Sequence, residues 1–419
     1  MNESKDVKKS DKTSEIVKDL KESFQASFLT DWYSTLVGFL SGTKSFYVLL
    51  IIGLAIIYAG AMGAFDAIRM GYRHAYGATR EISWGILIST YVFFVVTSTG
   101  LCIVSSIGHV FGVKDFMPIA KRAVFLSIVT IMAGFTIIAF EIENPFRMAI
   151  YNVLSPGMTS NIWWMGTLYG AYMVFMIVEF IFLQLENHQY ATYAGLAGLL
   201  SGIAAHSNLG AIFGMLHGRE YWYGPFLPIY FIASALMSGC AAIIFFTWLG
   251  HKITNEKMDR PLVRAMEAVA KLCTLMIAIV LFMIIWKIIT GFAGGPGKIE
   301  VLKAMLTGPY AFNFWALEMG LGLVIPFILF LTSRWSNLNS MFLATSMMMF
   351  GIFFMRYDLI ILGQVVPQFH ELGVNEYKGL LHYMPSFHEI LIVLMGLAMT
   401  VTTFILGEKV FQGHKSEIH

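Results

Sequence analysis

Ten apolar stretches, each about 20 residues or longer, set the terms on which this chain can fold. They lie near 45–66, 83–108, 121–142, 161–185, 191–217, 226–250, 262–290, 311–333, 338–362 and 387–409. Lipid offers no partner for a backbone N–H or C=O, so a run of that length crosses a bilayer as a helix, which pairs those groups within itself. The pattern predicts an all-α, polytopic membrane protein with about ten transmembrane helices. Composition agrees: 57% of the residues are apolar and 13% charged, far from the balance of a soluble domain.

Residues 45–409 form the membrane domain, flanked by a tail over 1–44 and a short one over 410–419. Within the first tail, Ile16, Val17, Leu20, Phe24 and Phe28 oppose Lys18, Lys21 and Glu22, the spacing of an amphipathic helix lying on the membrane surface over 14–40. The polar tail is too long for the basic end of a cleavable signal peptide, so the first span is expected to act as the insertion signal.

Ten crossings put both termini on one side. Lysine and arginine are more numerous there (Lys114, Lys121, Arg122, Lys252, Arg260, Arg334 and the tail) than in the opposite loops (Arg73, Arg147, Arg219, Lys287, Lys298). The positive-inside rule then predicts cytoplasmic termini. A net charge of +2 gives no nucleic-acid surface. Cys102, Cys240 and Cys273 stand far apart in apolar runs, a spacing that supports no iron-sulfur, zinc or c-type haem site.

The most regular motif is Gly198, Gly202, His206, Gly210 and Gly214, four residues apart. On a helix these make one sloping stripe roughly 24 Å long. Glycines at that spacing either let another helix pack closely or floor a slot for a flat ligand, and the imidazole among them needs a polar partner. Other ionisable residues fall at similar depth in the half of the membrane away from the termini: Glu141, Glu318, Arg356, Asp358 and Glu389. A mid-membrane charge costs on the order of 3 kcal/mol, so such convergence points to a polar pocket. Glu389 also fits a capping box with Ser386.

Nearer the termini stand His109, Glu179, Glu267 and Lys271. They read either as a proton path to the pocket or, for Glu267 and Lys271 at i and i+4, as an internal ion pair. His206 is the one histidine deep in a span, which argues against a pair of axial haem ligands. An ion-coupled secondary transporter is the rival function, but the two halves carry no matching pair of interrupted segments.

Four patches resemble the NrfD/PsrC family of integral membrane subunits, in particular its ten-helix branch of HybB-, DsrP- and QrcD-like proteins. They are His206-Ser207-Asn208-Leu209-Gly210, Glu318 with Gly320, Gly322 and Pro326, Arg356-Tyr357-Asp358 with Gly363, and Tyr383-Met384-Pro385-Ser386 with Glu389. A fifth is degenerate: Glu141-Ile142-Glu143-Asn144-Pro145-Phe146-Arg147 keeps the proline, an acid and an arginine but lacks the family's glycine-arginine pair. The resemblance implies two four-helix-bundle-like units plus additional helices. It also implies a menaquinone or related quinone bound in the outer half of the bilayer, no haem, metal or iron-sulfur cluster in this chain, and a ferredoxin-like iron-sulfur subunit docked on the outer face beside further catalytic or multihaem subunits. On that basis His206 is expected to donate to a quinone oxygen and Glu318 to exchange its proton, with Gly202, Gly210, Glu141, Arg356, Asp358 and Glu389 around the site.

Overall fold

The computed structural model describes residues 42–368 and 379–411. Ten helices are long and apolar enough to cross a membrane: α1 (Lys44–Met70), α2 (Ile86–His109), α3 (Met117–Glu141), α5 (Asn161–Gln184), α6 (His188–Gly214), α7 (Phe226–Thr254), α8 (Arg260–Phe292), α10 (Asn313–Thr332), α11 (Leu338–Leu362) and α12 (Phe387–Phe411). Two further helices of 10 and 11 residues, α4 (Pro145–Leu154) and α9 (Pro296–Leu306), lie in the loops opposite the termini. The apolar runs alone did not announce them. The described residues contain no strand, and the amphipathic segment over 14–40 lies outside them.

Polar caps set where the spans begin. Thr43 accepts from the Phe46 N–H and donates to the Ile253 carbonyl, so one side chain starts α1 and ties it to α7. Ser160, Asn187, Asp259 and Asn337 accept from the first turns of α5, α6, α8 and α11. Ser386 and Glu389 form the reciprocal capping box at α12, at 2.8 and 3.2 Å.

Helices α2, α3, α5 and α6 make one bundle, and α7, α8, α10 and α11 a second; α1 pairs with α12 and packs beside the first. The seam between bundles is α2 on α7. There Gly100 and Gly239 bring backbone against backbone, and a Cβ on either would collide with the other helix. Near the termini, Arg122 of α3 and Glu408 of α12 form a buried two-pronged ion pair at 2.7 and 2.8 Å. Counting Arg122 as a loop charge was therefore wrong: a helix turn into α3, it is drawn into the bundle by Glu408.

Candidate functional site

His206 is fully buried in α6. Its Nδ1 lies 3.0 Å from the Tyr169 hydroxyl of α5, while Nε2 makes no hydrogen bond. When the tyrosine donates, the ring proton sits on Nε2, and the imidazole becomes a donor toward the interior. Its ring centroid is 5.7 Å from that of Phe231 in α7, and the Arg356 guanidinium of α11 lies 5.5 Å from the same Phe231 ring. Arg356 is completely buried, yet none of its three guanidinium nitrogens has a hydrogen-bond partner.

Glu318 faces Arg356 from α10. Residues Asn313–Val324 of that helix wind as a π-helix, a wider turn than the α-helix and frequent at functional sites. Glu318 lines a cavity of about 20 Å³ with Tyr221, Tyr230, Lys287, Phe314 and Met355, space for about one water. Asp358, one helical turn of α11 from Met355, receives a long 3.4 Å bond from Asn313, and its second oxygen is unpartnered. Four expected site residues, His206, Arg356, Glu318 and Asp358, thus converge.

Two others sit apart from them. Glu389 is buried and saturated, accepting from the Tyr383 hydroxyl at 2.7 Å, the Gly77 N–H at 2.8 Å and the Ser386 N–H. Burial and this carboxylate push the Tyr383 hydroxyl well above its ordinary pKa, so it stays a donor. Glu141 lies within electrostatic reach of Glu389 at the end of α3. Tyr357, whose ring centroid is 6.4 Å from that of Tyr383, stands between this group and Asp358.

The glycine stripe does not floor a slot. The Tyr172 and Met176 side chains stand 3.0 Å from where a Cβ of Gly202 and of Gly198 would lie, and the Pro228 backbone 2.6 Å from where a Cβ of Gly210 would stand. Gly202 and Gly210 lie where α6 packs closely on α5 and α7.

Nearer the termini, His109 and Glu179 are buried with Nδ1 and Oε1 3.5 Å apart. Glu267 and Lys271 do not join them: Glu267 is half-buried, Lys271 is exposed on α8, and the two make no ion pair with each other. The polar residues that do lie between His109 and His206 escaped the sequence reading. The Tyr172 hydroxyl is 2.9 Å from Ser98 and 2.8 Å from Ser127, and Tyr169 beyond it reaches His206. Their signal is Tyr169 and Tyr172 at i and i+3 on one face of an apolar helix. Lys287, read as a loop charge, is inside α8, with its ammonium 3.7 Å from the Tyr221 ring centroid.

A roof closes the cluster on the face away from the termini. Trp222 donates to the Leu359 carbonyl at 2.7 Å and packs against Trp84 at a tilt and against Phe213 edge-on. Arg219 spans the Gln364, Val366 and Glu81 carbonyls at 3.0 to 3.2 Å, and Gln364 clasps both backbone groups of Trp84. A separate apolar cleft of about 570 Å³ runs along the other side of α11, lined by residues such as Phe93, Phe353, Phe354, Leu394 and Leu397, and ends at Ile86 and Ile390 beside Glu389.

The sequence model of the family described as "Polysulphide reductase, NrfD" matches residues 75–368. A selenate reductase subunit of Mesobacillus selenatarsenatis is 25% identical over 83% of this chain and 89% of its own. The Hdr-like menaquinol oxidoreductase integral membrane subunit of Archaeoglobus fulgidus is 26% identical over 87% and 93%. A putative dimethyl sulfoxide reductase membrane subunit of Halobacterium salinarum is 25% identical over 73% of each.

Proposed function

The chain belongs to the polysulphide reductase NrfD family, and from that premise we propose that it is the quinone-interacting subunit of a respiratory oxidoreductase. As a membrane subunit of a reductase complex it exchanges electrons between a menaquinone or related quinone pool and an iron-sulfur partner on the face opposite the termini, which are cytoplasmic. The A. fulgidus relative, named as a menaquinol oxidoreductase subunit, supports the quinone class.

The observation that carries the reading is the buried cluster itself: a guanidinium with no hydrogen-bond partner, an imidazole Nε2 and two carboxyl groups within electrostatic reach of one another. Buried donors without acceptors mark a place where a ligand or water completes the bonding. A quinone needs a donor to each oxygen and acids that exchange two protons per two electrons. His206 Nε2 and Arg356 are the donors, Glu318 the nearest proton carrier and Asp358 the second. Glu141 and Glu389 hold the outer end of the apolar cleft, which takes the isoprenoid tail. The space beside Glu318 fits a water rather than a ring, so the headgroup is admitted as Met355 or Phe314 shifts. His109 and Glu179, continued by Tyr172 and Tyr169, form the proton path toward the terminal side.

His206→Ala and Glu318→Gln test this in the intact assembly. Each is expected to lower quinol-linked turnover by roughly 100-fold or more, the usual yield of a positioned acid–base group, while the variant still purifies with all its partners. Full turnover in His206→Ala ends the assignment.

A further inference from the structure

Resting on that reading, we propose that Lys287 is a further proton-exchanging residue of the site, carrying protons between Glu318 and water at the face away from the termini. The argument starts from how Glu318 is enclosed. It is buried, and the Trp222, Trp84, Arg219 and Gln364 roof closes the cluster directly above. A group that gives up a proton at every turnover needs an exit, and among the residues lining its cavity Lys287 alone combines a titratable nitrogen with partial exposure.

Lys287 stands little more than one turn before the end of α8 at Phe292. Its ammonium makes no ion pair or hydrogen bond among the described residues; it rests on the Tyr221 ring at 3.7 Å. A cation–π contact steadies the ammonium without fixing any of its three N–H bonds, which leaves them free to turn toward a water. The cavity between it and Glu318 has room for about one such water. The titratable and charged groups facing this ammonium are Tyr221, Tyr230 of α7, Glu318 of α10 and Lys298 of α9, with Arg356 and Asp358 behind Glu318. Lys298 crowds it from the exit side, and Glu318 attracts it from within.

During quinol oxidation the balance is simple. Lys287 releases one proton outward, the neutral amine takes the Glu318 proton through the water, and the Glu318 carboxylate is again ready to accept. Reduction runs the same steps in reverse.

The discriminating variant is Lys287→Arg. An arginine keeps the charge and the stacking on Tyr221 but does not deprotonate at working pH. In the purified assembly, with a soluble quinol and a dye acceptor, Lys287→Arg and Lys287→Met are both expected to lose at least tenfold in turnover at unchanged KM. Both should show an enlarged solvent deuterium isotope effect. Lys287→Ala, which leaves a space, is expected to recover activity with added ethylamine. If Lys287→Arg keeps wild-type turnover, Lys287 supplies only charge and the relay is overturned. Wild-type turnover in Lys287→Met overturns it as well. If Glu318→Gln itself keeps quinol-linked turnover, the quinone reading fails first; if that variant is dead while the Lys287 variants run normally, only this inference falls.

Discussion

A guanidinium inside a membrane is stable only where something replaces its lost hydration, and the two buried arginines meet that need in opposite ways. Arg122 is clamped by Glu408 in two parallel bonds. Arg356 has an aromatic face, a carboxyl group at a distance and no hydrogen bond. The first holds two helices together; the second keeps its donors unpaired. Removing one member of a buried pair leaves the other uncompensated, at a cost of about 3–5 kcal/mol. Glu408→Gln should therefore lower the melting temperature of the detergent-purified protein sharply, whereas Arg122→Met with Glu408→Leu should recover most of the loss. Equal melting of the single and double variants would show that the pair carries no such load. The sequence hid this distinction, since Arg122 and Lys287 each sit within a turn or so of a span end, where periodicity does not tell a loop charge from one folded inward. His206 was legible because an imidazole at mid-span needs a specific partner; Glu318, Arg356 and Asp358 stand nearer their span ends and were legible through the family patches that carry them.

At the scale of elements, hydropathy located the spans to within a few residues, because the bilayer imposes length and apolarity together. It did not reveal the π-helical winding of α10, along which Gly322 meets Gly351 of α11 backbone to backbone. Nor did it decide what the glycines of α6 are for: a stripe suits a helix or a ligand equally, and only Tyr172, Met176 and Pro228 standing there show that helices won. The tightest glycine contact lies elsewhere, at Gly100 and Gly239 on the seam between bundles. A side chain at either meets rigid backbone, so no rotamer relieves it. Gly239→Val is expected to cost more than the roughly 1–3 kcal/mol of ordinary overpacking and to abolish the monodisperse peak on size exclusion, while Gly170→Val, with open space around it, should elute as wild type.

Across the whole molecule, the two bundles and the α1–α12 pair do not close on one another everywhere. Helices α11 and α12 splay, and the floor of α2 and α7 between them is the apolar cleft. Arg356, Met355 and Leu359 look from α11 toward Glu318 or the roof, while Phe350, Phe353 and Phe354 look the other way into the cleft. One helix thus separates a polar interior from a lipid-like channel, and the channel ends at the layer of Tyr357, Tyr383 and Glu389. That arrangement suits a carrier with a polar head and a long apolar tail: on the proposed reading the tail occupies the cleft, and the head passes the polar layer at Tyr357 to reach Asp358, Arg356 and Glu318. Leu397 faces the cleft and is partly exposed, so Leu397→Trp fills space without disturbing the core. For a quinol with a long isoprenoid tail this variant should raise KM about tenfold, a change of about 1.4 kcal/mol, and leave kcat in place. For a tail-less analogue it should change neither. A KM shift shared by both substrates would mean that the substitution acts on the headgroup site, and no shift for either would take the cleft out of the carrier's path.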